Sequence, residues 1–518
     1  MKQSYRPQYH ASVPSGWSND PNGTIWYGGK AHLFFQHYPF KPQWGTMHWG
    51  HLVSQDLIRW EPLPVALRPD QAYEVICGCC SGSAIEKDGR LWLLYTAAQP
   101  TLQRQCLAVS EDGGVSFRKD PDNPILTADM LSGEVSPLDF RDPRLFEKDG
   151  RYYFIAGIRL LNGAEDKAKA AAMTGNPSVP EELRSPSARA FSGAESENPG
   201  LGNLCLCRSG DLKHWEYLGH LLEPQPEFSP EYYALHGVYE CPDYFELDGR
   251  EVLLSSPQNL PQMGTRYQNI HSGLYMLGKL DFETGRFRVD TIGEVDAGFD
   301  FYAAQTLKLP DGRIVMIAWK EMWDRSYPTQ AEGWAGTYTL PRELRIADGR
   351  LIQRPVRELE NYRSAPVSRD YLSVDGDETV DGISGTVLEL RCRLRPGTAT
   401  RAGLRLFRGT EHETLLYVDR AAGQLVLDRS RSGILLKGRE KDVQLRRCPL
   451  DRTDEIELEL FLDVSSLELF VNGGRSVMTA NVYPDPEDLG IVFFSEGGKA
   501  EFTEIRKYEI AAANGNPG

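Results

Sequence analysis

Three acidic residues sit in short motifs of similar build: Asp20 in Trp17-Ser18-Asn19-Asp20-Pro21-Asn22-Gly23, Asp142 in Phe140-Arg141-Asp142-Pro143, and Glu240 in Tyr239-Glu240-Cys241-Pro242. Asp20 precedes the turn glycine Gly29 by 9 residues, Asp142 precedes Gly150 by 8, and Glu240 precedes Gly249 by 9. Carboxylates that recur at one phase of a repeating unit are expected to converge on one point. Converging carboxylates suit glycoside hydrolysis, in which one attacks the anomeric carbon and another protonates the leaving oxygen. A single acid before proline would be read as an ordinary turn residue. Three acids in phase favour the chemistry.

The elements that position these acids are read from the turns. Gly28-Gly29, Asp88-Gly89, Asp149-Gly150, Asp248-Gly249 and Asp311-Gly312 each join two runs rich in aromatic and β-branched residues, such as Leu91-Trp92-Leu93-Leu94-Tyr95, which is the signal of a β-hairpin. The five glycines are 60, 61, 99 and 63 residues apart. The long interval holds residues 162–202, rich in Ala, Ser, Pro, Gly and Glu, which reads as an inserted loop with one short helix near Lys167 to Met173. A second phrase recurs in Ser54-Gln55-Asp56-Leu57-Ile58-Arg59-Trp60 and Ser209-Gly210-Asp211-Leu212-Lys213-His214-Trp215. Repeats of about four strands each predict an all-β chain with a five-bladed β-propeller over residues 1–352. After a linker at 353–368, alternating strands such as Ile456-Glu457-Leu458-Glu459-Leu460 predict a C-terminal β-sandwich over 369–518.

Composition narrows the partners. A formal charge of -16 and a pI near 5.2 argue against nucleic acid and anionic membrane, which need basic surfaces, and fit a small neutral sugar. The first ten residues lack the apolar core of a signal peptide, and no later segment reaches membrane-spanning length. Nine cysteines, three of them in Cys77-Gly78-Cys79-Cys80, fit a reducing cytoplasm better than an oxidising compartment. Neither that spacing nor Cys205-Leu206-Cys207 matches the usual metal-ligand pattern, so no metal or other cofactor is expected. His48 and His51 are expected to pack and bond locally.

On these motifs the chain resembles glycoside hydrolase family 32, whose signatures W-x-N-D-P-N-G, R-D-P and E-C are matched at Trp17 to Gly23, Arg141 to Pro143 and Glu240-Cys241. Further matches are His32-Leu33-Phe34-Phe35-Gln36, Ser81-Gly82-Ser83-Ala84 and, in the sandwich, Leu467-Glu468-Leu469-Phe470-Val471-Asn472. The resemblance implies β-fructofuranosidase activity, with Asp20 as nucleophile, Glu240 as general acid/base, and Asp142 binding fructose hydroxyls beside Arg141. Cys80 departs from the family pattern, which usually has an aromatic residue there, and the 162–202 insertion is placed to shape the leaving-group side.

For a retaining double displacement, Asp20 must be ionised, while Glu240 must hold its proton near neutral pH, with its pKa raised from about 4.3 toward about 6. Crowding by Asp20 and Asp142 is expected to do this, and Arg141 to hold Asp142. Asn19, Gln36 and Ser81 are candidate polar contacts to the sugar, and Trp44 and Trp319 candidate apolar faces, although Trp319 reads equally well as core. Sucrose and short fructo-oligosaccharides are the expected substrates. Sucrose 6-phosphate or longer fructans are the alternatives, with Arg266, Lys320 and Arg325 as candidate phosphate ligands. A sugar-binding propeller without catalysis is the distant reading, and nothing in the residues sets an oligomeric state.

Overall fold

Four of the five predicted turns place both central residues at positive φ: Gly28 and Gly29 (58° and 80°), Asp88 and Gly89 (54° and 70°), Asp149 and Gly150 (51° and 72°), Asp248 and Gly249 (49° and 75°). This is the two-residue turn whose twist matches that of the strands it joins, and Asp-Gly is its preferred sequence. The fifth, at Asp311-Gly312, has only Gly312 at positive φ. The structure, a computed structural model, describes residues 4–99, 101–174, 200–223, 237–438, 443–451 and 453–511.

Each turn closes the inner hairpin of a blade sheet, which has four antiparallel strands in the last three blades and five strands in the first two. The innermost strands of the five blades are Gly16–Tyr27, Gly78–Lys87, Val135–Lys148, Tyr239–Leu247 and Tyr302–Lys308. The fifth blade ends on Arg350–Pro355, so the propeller runs slightly past residue 352, into the predicted linker. The short strand Trp334–Ala335 lies parallel to the start of Gly16–Tyr27, and this contact ties the last blade to the first.

The Ser-x-Asp phrase forms one kind of turn between outer strands. Asp56 accepts the amides of Ile58 and Arg59 at 3.0 and 2.8 Å, and Asp211 those of Lys213 and His214 at 2.9 Å. The ring nitrogens of Trp60 and Trp215 then donate to the carbonyls of Leu57 and Leu212 at 3.0 and 2.8 Å. Ser110 and Asp112 form a hydroxyl-to-carboxylate bond in the second blade at 2.7 Å; this copy lacks the tryptophan, with Ser116 at its position and Phe117 one residue later.

All five inner strands carry a register shift at the same level: Ser18/Pro21, Cys80/Gly82, Arg141/Arg144, Glu240/Asp243 and Tyr302/Gln305. In the last three blades a residue other than glycine sits there at positive φ, namely Asp142 (60°), Cys241 (45°) and Ala303 (56°). Such bulges turn side chains away from the strict alternation of a strand and cluster at functional sites. The phase inferred from turn glycines is therefore a ring of bulges.

The sandwich is built on Gly490–Glu509, which pairs through its first half with Arg401–Arg408 and through its second with Leu388–Arg395. Its core is aliphatic and phenylalanine-rich. Where it meets the propeller, an apolar cluster that includes Phe461, Phe470 and Val477 is joined by buried ion pairs. Arg342 bonds Glu468 at 2.6 Å and Asp296 at 3.0 Å, Arg429 bonds Asp300 at 2.8 Å, and His10 sits between Asp463 (2.8 Å) and Glu468 (3.0 Å). Burial pushes the Glu468 carboxyl up, but Arg342 and His10 outweigh it and hold the group at about 2.

Candidate active site

Because the bulges lie near the starts of the inner strands, the side chains they redirect meet at one mouth of the propeller. The Cys241 sulfur lies 3.6 Å from Asp20 Oδ2 and 3.8 Å from Asp142 Oδ2, and the Cys241 amide donates to Asp142 Oδ2 at 3.0 Å. Glu240 is the preceding residue. Three acids from the first, third and fourth blades thus share one neighbour. Asp20 and Asp142 are buried, at 8% and 5% exposure, whereas the Glu240 side chain keeps 16%, so Glu240 is the acid most open to an incoming molecule.

Each carboxylate is held differently. Ser81 Oγ donates to Asp20 Oδ2 at 2.8 Å. The Asp142 amide donates to Thr96 Oγ1 at 3.0 Å, fixing its left-handed backbone. Arg141 gives two N–H groups to Glu240 Oε1, at 3.2 and 3.0 Å, and a third to Asp139 at 2.7 Å. Asp139 is itself buried and binds Arg159 at 2.9 Å. The expectation that Arg141 orients Asp142 is therefore corrected: its guanidinium bonds lead to Glu240 and Asp139.

Burial and crowding raise the two aspartates. Asp20 rises from 3.8 to about 6, first through burial and then through the Glu240 charge, with Asn19, Ser81 and Cys241 pulling the other way. Asp142 rises to about 7 through burial, opposed by Arg141 and reinforced by Glu240 and Asp20. The sequence reading placed the elevated acid at Glu240. The structure raises the two deeper acids, because burial takes them out of solvent.

The remaining candidates divide. Asn19 is buried and accepts from Trp17 Nε1 at 2.8 Å. Gln36 donates to the Cys79 carbonyl at 3.0 Å, holding the strand that presents Ser81. Trp44 is half-buried against the apolar cluster that contains Trp17 and Trp319 and retains an open face. Trp319 is 0% exposed and packed between Trp17 and Trp323, with ring centres 5.9 and 5.0 Å away; it backs the site rather than lining it, correcting its assignment as a sugar contact. Lys320 and Arg325 are likewise corrected as phosphate ligands, since both are buried at the sandwich interface, on Ser466 (2.7 Å) and Asp300. Arg266 lies in the loop between Arg250–Pro257 and Leu274–Asp281, which leaves from the Glu240 end of its blade.

Residues missed in the sequence are Tyr302, Thr96, Asp139 and Arg159. Tyr302 could have been found, since it precedes Gly312 by 10 residues, nearly the phase of the acids. Its hydroxyl lies 2.6 Å from Glu240 Oε2. The insertion begins with a helix, Gly163–Thr174, whose Ala170 packs on Leu138 and Leu161; residues 175–199, the rest of the predicted loop up to the final turn, lie outside the described ones. Helix and carboxylates share one rim.

Two other features lie away from the acids. A cleft of about 1120 Å³ separates the fifth blade from the sandwich, but its arginines are largely matched to acids, as in Arg357 with Glu343, Arg391 with Glu459 and Arg393 with Glu504. Among the described residues, one group could gather round a cation, His412, Asp485 and Asp488 on the sandwich, far in sequence from the acids. The cysteines of 77–80 and 205–207 lie in different blades. No helix among the described residues is long and apolar enough to cross a membrane.

The family model for the glycosyl hydrolases family 32 N-terminal domain matches residues 10–169 and 182–355, and that for the family 32 C terminal matches 358–509. The chain is 35% identical to a sucrose-6-phosphate hydrolase of Zymomonas mobilis, over 99% of this chain and 94% of that one. It is 32% identical to a raffinose invertase of Escherichia coli, over 97% and 94%. The solved structure of a Bombyx mori GH32 β-fructofuranosidase is similar at a TM-score of 0.76 and 32% identity, covering 99% of this chain and 95% of that one, and a mutant of that protein is solved in complex with sucrose.

Proposed function

The chain belongs to glycoside hydrolase family 32, and on that premise we propose that it is a retaining β-fructofuranosidase that releases terminal fructosyl residues from sucrose and short fructo-oligosaccharides. The observation that carries the reading is the sharing of Cys241 by Asp20 and Asp142, with Glu240 adjacent and more exposed. The deep carboxylate Asp20 attacks the anomeric carbon while Glu240 protonates the leaving oxygen; water, deprotonated by Glu240, then resolves the fructosyl-enzyme. Asp142 accepts hydroxyl hydrogen bonds from the fructosyl ring, and its charge with that of Asp20 stabilises the positive charge that develops there. Burial and the Asp20 and Asp142 charges push the Cys241 thiol well above its ordinary value, so it stays neutral, with one weak S–H donor within reach of either Asp20 or Asp142.

A leaving group carrying phosphate is the second reading, motivated by the name of the Zymomonas mobilis relative. With Lys320 and Arg325 committed to the interface, Arg266 is the remaining candidate among those three for contacting it. Fructose release from sucrose, sucrose 6-phosphate and short inulin-type oligosaccharides, compared by kcat/KM, ranks the substrates. Glu240→Ala serves as the blank, with an expected loss of about 10²–10⁴-fold on sucrose. Retention is read by NMR of the first-formed anomer: β-fructofuranose is expected, and an initial α anomer refutes the double displacement.

A further inference from the structure

Glu240 is gripped on both oxygens. Arg141 occupies Oε1, while Oε2 lies 2.6 Å from the Tyr302 hydroxyl, which also lies 2.8 Å from the backbone carbonyl of Ser256. A neutral phenol has one proton to donate, and a carbonyl can only accept. Tyr302 cannot donate to both at once. If its proton lies on the Ser256 carbonyl, the 2.6 Å contact is a hydrogen bond only when Glu240 is the donor, as a carboxylic acid. If Glu240 is a carboxylate, the phenol proton turns to it.

We propose that Tyr302 is a positioning residue whose hydroxyl swings between the Ser256 carbonyl and Glu240 Oε2 in step with the loss and regain of the Glu240 proton. The inference rests on the acid/base role proposed above for Glu240. In the first step the Oε2–H bond breaks as the leaving oxygen gains that proton. The anomeric C–O bond breaks with its electron pair going to that oxygen, and an Asp20 oxygen bonds the anomeric carbon. Tyr302 keeps its own proton and turns it onto Oε2, where negative charge has just appeared. In the second step water gives one proton to Oε2 as its oxygen bonds the anomeric carbon, the bond from that carbon to Asp20 breaks with its electron pair returning to the carboxylate, and the phenol swings back.

The surroundings fit a hydroxyl that rotates on a fixed ring. Tyr302 is 0% exposed, and the next residue, Ala303, is held at φ 56° with its amide donating to Ser256 Oγ at 3.0 Å. Ser256 thus anchors the backbone through its side chain and the phenol through its carbonyl. Burial, and then the Glu240 charge, push the phenol well above its usual value, so it does not surrender its proton. The other titratable groups around this centre are Arg141 and Asp142 from the third blade, Asp20 from the first, Cys80 from the second, Cys241 from the fourth, and His271, whose ring lies 5.5 Å from that of Tyr302.

Tyr302→Phe separates this role from a packing role. A charged acceptor gains more from a hydrogen bond than a neutral one, so deleting the phenol disfavours the Glu240 carboxylate and makes Glu240 a weaker acid. On sucrose, kcat/KM is expected to fall at least about 10-fold and its alkaline limb to move up by about one pH unit. On β-fructosyl fluoride, whose leaving group needs little protonation, kcat/KM is expected to change by less than about 3-fold. Equal losses on both substrates, or an unmoved alkaline limb, overturn the proposal. If Tyr302→Phe does not fold, a fluorinated tyrosine at 302 keeps the hydroxyl and strengthens it as a donor. The alkaline limb must then move down, and an unmoved limb again overturns the proposal. Full activity of Glu240→Ala would sink the underlying acid/base reading, whereas an unaffected Tyr302→Phe beside an inactive Glu240→Ala sinks only this one.

Discussion

Replacing Asp20 with asparagine should abolish catalysis and stabilise the fold, with a pH dependence that identifies the cause. In the folded chain Asp20 titrates at about 6, against 3.8 for an ordinary aspartate. The sign follows from a folded value raised above the unfolded one: as pH climbs through about 4 to 6, the unfolded chain gives up its proton more readily, and stability is lost. Above about pH 6 the loss is complete. Roughly two pH units at about 1.4 kcal/mol each amount to about 3 kcal/mol, and the burial of the side chain leaves little solvent screening to reduce it. The asparagine of the variant carries no charge and escapes this cost. With an unfolding entropy of about 2 cal/mol/K per residue, a chain of 518 residues gains roughly 1 °C in Tm per kcal/mol. Calorimetry of Asp20→Asn should therefore show a melting point about 2–3 °C above the parent at about pH 7.5, shrinking to less than about 1 °C at about pH 4. No gain at the higher pH, or the same gain at both pH values, would show that Asp20 is not held in the strained state that the burial implies.

Ser81→Ala removes the hydroxyl that donates to Asp20 at 2.8 Å; the acid limb of kcat/KM should move from near pH 6 upward by about one unit, and a pH–rate profile with an unmoved limb contradicts this. Asp139→Ala leaves the buried guanidinium of Arg159 and one arm of Arg141 without that carboxylate; a loss of about 3–5 kcal/mol is expected, read as a lower Tm together with slower fructose release. Arg342→Met strands Glu468 and Asp296 at the domain interface at a similar cost. Faster proteolytic cleavage near residues 356–366, with the sandwich released, is the expected sign.

Much of this protein is written locally in its sequence. Asp-Gly pairs adopt positive φ with little tertiary help, and alternation of apolar and polar residues declares a half-buried strand. The hairpins, five blades and sandwich were legible for that reason, and so was the common phase of Asp20, Asp142 and Glu240. The short helix in the insertion was legible too, from Lys167-Ala168-Lys169-Ala170. What only the tertiary structure decided is which groups face one another across the channel. Arg141 donates its hydrogen bonds to Glu240, 99 residues away, and acts on its neighbour Asp142 through its charge, because the bulge at Asp142 interrupts the alternation on which a sequence reading depends. Tyr302 joins Glu240 only once the fifth blade stands beside the fourth. Lys320 and Arg325 resembled free cations until the sandwich buried them, and Trp319 resembled a sugar platform until Trp17 and Trp323 enclosed it. The raised values of Asp20 and Asp142 belong to the same class, since loss of solvent is a property of the assembled channel and of no single strand.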